Sequence, residues 1–305
     1  MEIEHKATNP EPGTLNFIYG GSMSKLNKKI GFIGAGNMGE AFVGAIIKSN
    51  ILPPSMIYVS DINEERLSVL RSSYGISVLN DNVKLFSICD IIILAVKPQH
   101  IGQVLSQIAG QKDYKIHNPK LVVSIAAGIP LQKIEDILYT PLDEKSRIKL
   151  PVIRVMPNTP ALVLAGMAGM SANRHASDDD VKIVRSILEA MGEVIEFNEQ
   201  DLDAVTALSG SGPAYVFYFI ESMIEGGICI GLEPNDAATL TIATLKGAVK
   251  LMEELNESPE LLRRKVTSPG GTTEAALKVL DKNQVKESII EAIAAAAKRS
   301  KELSG

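Results

Sequence analysis

From Lys29 onward, short apolar runs rich in β-branched residues alternate with stretches of helical periodicity: KIGFIG, MIYVSD, DIIILAVKP, KLVVSIAAG and PVIRVMPNTP, followed by GEVIEF. Within them IIILAV is apolar at every position rather than at every second one. Such a run is expected of a strand buried on both faces, which requires a parallel sheet covered by helices on each side. The pattern therefore predicts an open, doubly wound α/β domain over residues 29–198. Beyond about residue 198 the strand runs cease. Alanine-rich helical segments such as ATLTIATLKGAVKLMEEL and SIIEAIAAAAKRSKEL replace them, with starts marked by Pro213, Pro234 and Ser258-Pro259. An all-α domain is expected over residues 199–305. Its helices carry broader apolar faces than a short helix needs within its own domain, which fits either a homo-oligomer or a deeply buried intrachain helix. Residues 1–28 show neither periodicity and are expected to be an appended or disordered leader, with Met23 as an alternative start.

Composition narrows the partners. The 305 residues are 45% hydrophobic and 22% charged, with a formal net charge of -5, which offers no basic field for nucleic acid or an anionic membrane. No apolar run reaches the length of a membrane span, and the N-terminus lacks the basic and apolar regions of a signal peptide. Cys89 and Cys229 lie far apart in apolar runs, as in a reducing cytoplasm, and His5, His100, His117 and His175 are scattered, so neither a disulfide framework nor a metal site is expected. Small molecules and other copies of the chain are the expected partners.

The first chemical motif is GFIGAGNMGEAF, in which Gly34, Gly36 and Gly39 follow a strand and open a helix. In that context GxGxxG is a dinucleotide fingerprint: a tight turn, a close backbone approach to pyrophosphate, and close packing of the helix, whose free amides attract phosphate. Asp61 closes the second strand where an acid would bind the adenosine ribose; it could equally cap the helix in NEERLSVL. A carboxylate there favours NAD over a 2′-phosphate unless Arg66 or the following helix N-terminus compensates. AVKP and SIAAG end further strands with small residues, leaving room in the crevice outside the strand ends, where Lys97 is either catalytic or merely solvated. MPNTPAL presents Asn158 and Thr159 between two prolines, as a site element or as an Asx turn. ALSGSGPAY starts a helix at the domain boundary, with Ser209 to Gly212 near a ligand or with Ser209 or Ser211 as a simple cap. In VTSPGGTTEAAL the turn Pro269-Gly270-Gly271 breaks one helix and the next restarts at Thr272 or Thr273, a terminus suited to a carboxylate or one that a threonine merely caps.

Taken in order, GFIGAGNMG, LAVKP, SIAAG, RVMPNTPALV, LSGSGPAYVF and TSPGGTTEAAL resemble the blocks of the pyrroline-5-carboxylate reductases over about residues 29–303. The resemblance implies a Rossmann domain followed by a helical domain. It implies reduction of L-1-pyrroline-5-carboxylate to L-proline by NADPH or NADH in the cytoplasm, the last step of proline biosynthesis. By matching position, Ser268, Gly270 and Gly271 would line the substrate carboxylate, and the Thr273 hydroxyl would face the ring nitrogen, with Thr272 the variable member of the block. Gly34, Gly36, Asn37 and Met38 would surround the cofactor phosphates. Ala95, Val96, Lys97 and Pro98 would lie on the ribose and nicotinamide side, and Asn158 beside the nicotinamide. The family often uses NADPH, so Asp61 leaves the choice of cofactor open. It also implies a homodimer built through the C-terminal helices, often assembled into a larger ring of dimers.

Two rivals are set against it. A β-hydroxyacid dehydrogenase shares the layout but needs a lysine soon after a glycine-rich helix start, where this chain reads SGSGPAYVFYFIES. A noncatalytic dinucleotide-binding protein would have no reason to keep Ser268 and Thr273 at a second helix terminus.

Overall fold

The computed structural model of the chain describes residues 26–304. The expected leader, with Met23, lies outside the described residues except for Leu26 to Lys28. The N-terminal part alternates strands and helices: β1 (Ile30–Ile33), α1 (Asn37–Lys48), β2 (Ile57–Ser60), α2 (Glu64–Tyr74), β3 (Ser77–Leu79), α3 (Asn82–Ile88), β4 (Ile91–Leu94), α4 (Pro98–Ala109), β5 (Leu121–Ser124), α5 (Leu131–Tyr139), α6 (Glu144–Ile148), β6 (Val152–Pro157), β7 (Gly166–Ala172), α7 (Asp178–Glu189) and β8 (Gly192–Glu196). The eight strands form one sheet in the order β3-β2-β1-β4-β5-β6-β7-β8. All neighbours are parallel except β6 and β7. This is a doubly wound Rossmann sheet whose order reverses between β1 and β4, opening a crevice beyond their carboxyl ends.

The continuous apolar strands are explained by their two covered faces. In β4, Ile91 and Ile93 join the cluster with Phe42, Ile46, Leu70 and Ile187 from α1, α2 and α7. Ile92 and Leu94 join the opposite cluster with Leu85, Ile101, Leu105 and Ile134 from α3, α4 and α5. Each such side chain contributes about 1.5–3 kcal/mol by leaving water, so a strand apolar on both faces is fixed in the middle of the sheet.

Two strands were not expected from the sequence. β3 is only three residues long. β7 reads GMAGMSA, without the β-branched residues that mark a strand. One of its glycines has a packing reason: a Cβ on Gly169 would come 2.8 Å from Val205 and 3.3 Å from Leu202 of the short helix beyond β8, so the strand is bare where that helix closes on it.

From Glu199 the chain is helical: α8 (Leu202–Val205), a π-helical turn (Thr206–Gly210), α9 (Gly212–Cys229), α10 (Pro234–Leu255), α11 (Pro259–Lys265), α12 (Thr272–Lys282) and α13 (Val285–Ser304). α9 packs on α10, and α13 returns to the π-helical turn. None of the residues of α9, α11 or α12 is buried in the single chain. No helix among the described residues is long and apolar enough to cross a membrane.

Candidate functional site

The glycine turn is shaped by close approach. Gly34 has φ +112°, and a Cβ there would sit 2.6 Å from the Ala95 carbonyl carbon at the end of β4. A Cβ on Gly39 would sit 2.6 Å from the Gly34 carbonyl oxygen, so α1 starts tight against the turn. Around Gly36, by contrast, nothing lies within 4 Å of a Cβ. Gly36 is the N-cap of α1 and brings no side chain to its free amides. The amides at Asn37 and Met38 thus open onto free space at the positive end of a helix, which fits the pyrophosphate of a dinucleotide.

Asp61 is engaged by the backbone. Its Oδ2 accepts the Ala35 N–H at 2.6 Å and its Oδ1 the Asn63 N–H at 2.9 Å, binding the end of β2 to the glycine turn. The cap of α2 is Asn63, whose side chain accepts the Arg66 N–H, and not Asp61. Arg66 is held beside the turn, donating from Nε to the Ala35 carbonyl at 2.8 Å and pairing with Glu40. Tyr74 donates to the other Glu40 oxygen at 3.2 Å. Burial, with the neighbouring Glu40 carboxylate, raises the Tyr74 hydroxyl above the usual range and keeps it a donor. Across the switch point, Ala95 N–H donates to the Ile33 carbonyl at 2.8 Å, Val96 is half-buried, and Lys97 and Pro98 open α4 at the surface.

Asn158 follows β6 but makes no Asx turn. Its Oδ1 accepts the Met167 N–H of β7 at 2.9 Å, and its Nδ2 donates to Ser209 Oγ at 3.3 Å. That contact joins the strand end to the π-helical turn. Neither Ser209 nor Ser211 caps α9 through its side chain.

The second cluster lies on the helical part. Gly270 has φ +71°, and Gly271 is the N-cap of α12, in extended conformation and with no side-chain cap. Thr272 and Thr273 are consequently the first two helical residues and neither caps the helix, contrary to the simpler expectation. Glu274 reaches back to accept the Gly270 N–H at 2.9 Å and pairs with Lys278 at 3.3 Å. Among the described residues the Ser268 and Thr273 hydroxyls make no hydrogen bond within the chain, nor does any join this cluster to the glycine turn. The structure thus brings Gly34 to Met38, Asp61, Ala95 to Pro98 and Asn158 to the strand ends. Ser268 to Thr273 form a separate terminus on α12.

A buried ion pair had no counterpart among the expected site residues. Arg154, in the middle of β6, is 4% exposed and pairs with Glu199 at 3.3 Å and Asp203 at 4.0 Å. Its one sequence signal is an arginine inside the apolar run PVIRVMP. Among the described residues no group of three or more His, Cys, Asp or Glu side chains could hold a metal ion.

Residues 199–303 match the family described as pyrroline-5-carboxylate reductase dimerisation, and residues 29–128 match NADP oxidoreductase, coenzyme F420-dependent. A pyrroline-5-carboxylate reductase of Methanosarcina acetivorans is 41% identical over 91% of this chain and 98% of its own length. Pyrroline-5-carboxylate reductase 2 of Bacillus subtilis is 39% identical over 90% and 95%. The crystal structure of a Plasmodium falciparum pyrroline carboxylate reductase with NADP bound superposes with a TM-score of 0.80, at 32% identity, over 92% of this chain and 99% of that one. With such relatives along nearly its whole described length, the chain belongs to the pyrroline-5-carboxylate reductase family.

Proposed function

We propose that the chain reduces L-1-pyrroline-5-carboxylate to L-proline with NADPH or NADH, the last step of proline biosynthesis. The observation that carries the reading is the pair of uncapped helix N-termini, one behind Gly36 at the strand ends and one behind Gly271 at the start of α12. The first suits a dinucleotide pyrophosphate and the second a substrate carboxylate. Gly34, Gly36, Asn37 and Met38 hold the phosphates. Ala95, Val96, Lys97 and Pro98 border the ribose and nicotinamide, and Asn158 stands at the nicotinamide. Ser268, Gly270 and Gly271 line the carboxylate of the substrate, and the Thr273 hydroxyl meets the ring nitrogen.

When bound, the reduced nicotinamide supplies the hydride that C5 of the cyclic imine accepts. The residues of the chain align and shelter. The α12 amides fix the carboxylate, Thr273 holds the proton-bearing ring nitrogen in register, and the small residues at the strand ends let the ring approach closely in a dry crevice. A protonated imine is electrophilic without a catalytic dyad, so alignment supplies most of the rate. Thr273 is the catalytic residue in this sense.

Asp61, with both oxygens on backbone amides, acts first as the brace of the glycine turn, so its charge bars a 2′-phosphate less than an unbonded carboxylate would. Both cofactors therefore remain substrates, and initial rates with NADPH and NADH for the wild type and Asp61→Ala measure the preference. The bare apolar residues of α9 and α10, among them Phe217, Phe219 and Leu240, are covered by a second copy in a homodimer, which assembles further into a ring of dimers. A net charge of -5 favours no nucleic-acid partner. The reading places the enzyme in the cytoplasm, in keeping with Cys89 and Cys229 as free thiols. The decisive test is oxidation of NADPH on addition of pyrroline-5-carboxylate. Dinucleotide binding with no turnover would instead favour a scaffold role.

A further inference from the structure

Side chains two residues apart in extended chain share a face, and β6 with the extended residue after it presents Arg154, Met156 and Asn158 in one such row. All three meet the segment from Glu199 to Gly210, in which the chain passes from sheet to helices. Arg154 Nη1 lies 3.3 Å from Glu199 Oε1, and its Nη2 lies 4.0 Å from Asp203 Oδ1. A Cβ on Gly210 would come 2.5 Å from Met156 Cε, so the turn lies close over the end of that side chain. Asn158 Nδ2 donates to Ser209 Oγ at 3.3 Å. The same carboxylates gather the surrounding elements: Glu199 Oε1 accepts the Leu131 N–H at 2.5 Å, and Asp203 Oδ1 accepts the Ser300 hydroxyl of α13 at 2.6 Å.

An apolar side chain would fasten a strand to a helix at least as strongly as a buried ion pair. What the guanidinium adds is direction, because its planar fork faces two carboxylates one helical turn apart. Glu199 and Asp203 lead directly into the π-helical turn, where Ser211 N–H is bonded to the Thr206 carbonyl five residues back at 2.8 Å. Such turns are rare in helices and frequent at functional sites.

We propose that Arg154 is a positioning residue: through Glu199 and Asp203 it sets the height of the π-helical turn on β6, so that Ser209 holds the Asn158 amide at the nicotinamide end of the crevice. This rests on the placement of Asn158 given under the proposed function. Arg154 touches neither substrate nor cofactor. It acts through Ser209, and α13 is tied to the same hub by Ser300.

The test is a double-mutant cycle on the full-length enzyme with NADPH and pyrroline-5-carboxylate. Arg154→Lys keeps one charge but cannot face both carboxylates. It and Ser209→Ala each lower kcat about tenfold while the KM for pyrroline-5-carboxylate stays within about twofold. The double variant is no slower than the slower single variant, because both changes release the same amide. Multiplying effects, or wild-type kcat in Arg154→Lys beside a slow Ser209→Ala, overturn the proposal while leaving the site intact. Wild-type kcat in both Ser209→Ala and Asn158→Ala overturns it from the other side, by removing Asn158 from the crevice. Asp203→Asn, equal in shape and able to keep the Ser300 bond, replaces Arg154→Lys in the cycle if that variant does not fold. Failure of both to fold makes the cluster a stability element and also overturns the proposal.

Discussion

Gly34 and Gly36 stand two residues apart in one turn, yet replacing them has different consequences. At Gly34 an added methyl meets the Ala95 backbone at 2.6 Å in a conformation, φ +112°, that side-chain-bearing residues rarely adopt. Gly34→Ala is expected to cost about 2–4 kcal/mol, read as a lower urea midpoint. At Gly36 the methyl meets nothing within 4 Å and the backbone is ordinary at φ -68°. Gly36→Ala keeps the wild-type midpoint but weakens NADPH binding about tenfold or more, since the methyl projects into the space before the α1 amides. Loss of stability without loss of affinity at Gly36 would contradict the cradle. Thr273 is separable from Thr272 in the same way, because neither caps α12. Thr273→Ala is expected to raise the KM for pyrroline-5-carboxylate and to lower kcat/KM about tenfold to a hundredfold, with Thr273→Ser recovering most of it and Thr272→Ala close to wild type. Steady-state kinetics of the three variants check it. The turns that carry these residues were legible in the sequence because each belongs to a short motif whose geometry is local. The Arg154 hub was not, since its partners lie 45 residues away at Glu199 and, through Asp203, 97 residues further at Ser300.

Among the elements, six of the eight strands could be read, β1, β2, β4, β5, β6 and β8, and most directly β4, where every residue is apolar and buried. β7 was illegible for a physical reason: Gly169 is bare where Val205 and Leu202 of α8 close on it and Gly166 where Ala161 does, and such residues carry no strand signal. The π-helical turn was hidden as well, because the five residues TALSG are too few to carry a periodicity of their own. Cys89, between α3 and β4, gives an element-scale test. Burial, eased by Lys120, pushes its thiol up from 9.0 to about 12. The folded chain therefore keeps a proton that the unfolded chain releases above pH 9. Stability from this group is complete below that value and declines as pH rises toward about 12. Denaturant midpoints of the wild type should fall over that window, and Cys89→Ala should show a shallower fall from a lower start. The same slope in both proteins would assign the alkaline loss to other groups, such as Tyr139, which burial also raises to about 12.

For the whole molecule, the question is what the helical part does with apolar surface that the single chain leaves in water. Phe217 is 64% exposed and Tyr218 73% exposed on α9, with Leu240 at 55% on α10. Obligate homodimers bury on the order of 2,000 Å² or more of such surface, and in the proposed dimer a twofold axis would make any single change act twice. The proposed dinucleotide cradle, in contrast, draws its residues from the strand ends and the helix starts of α1 and α4 in one chain. The two functions should therefore separate. Phe219→Glu places an unpaired charge in the covered face of each copy, at a cost of several kcal/mol, and is expected to give monomers by light scattering. Those monomers still bind NADPH with wild-type affinity, since no cradle residue lies on α9. They are expected to lose nearly all turnover of pyrroline-5-carboxylate if, as we propose, the second copy also covers α12, which has no buried residue in the single chain. The Cys229 thiol, exposed at the end of α9 in the single chain, reports the same event: slow to react with a thiol reagent in the wild-type dimer and fast in the variant, while buried Cys89 reacts in neither. A monomeric variant with wild-type kcat/KM would show that one chain is a complete enzyme and would remove the functional reason for the bare face.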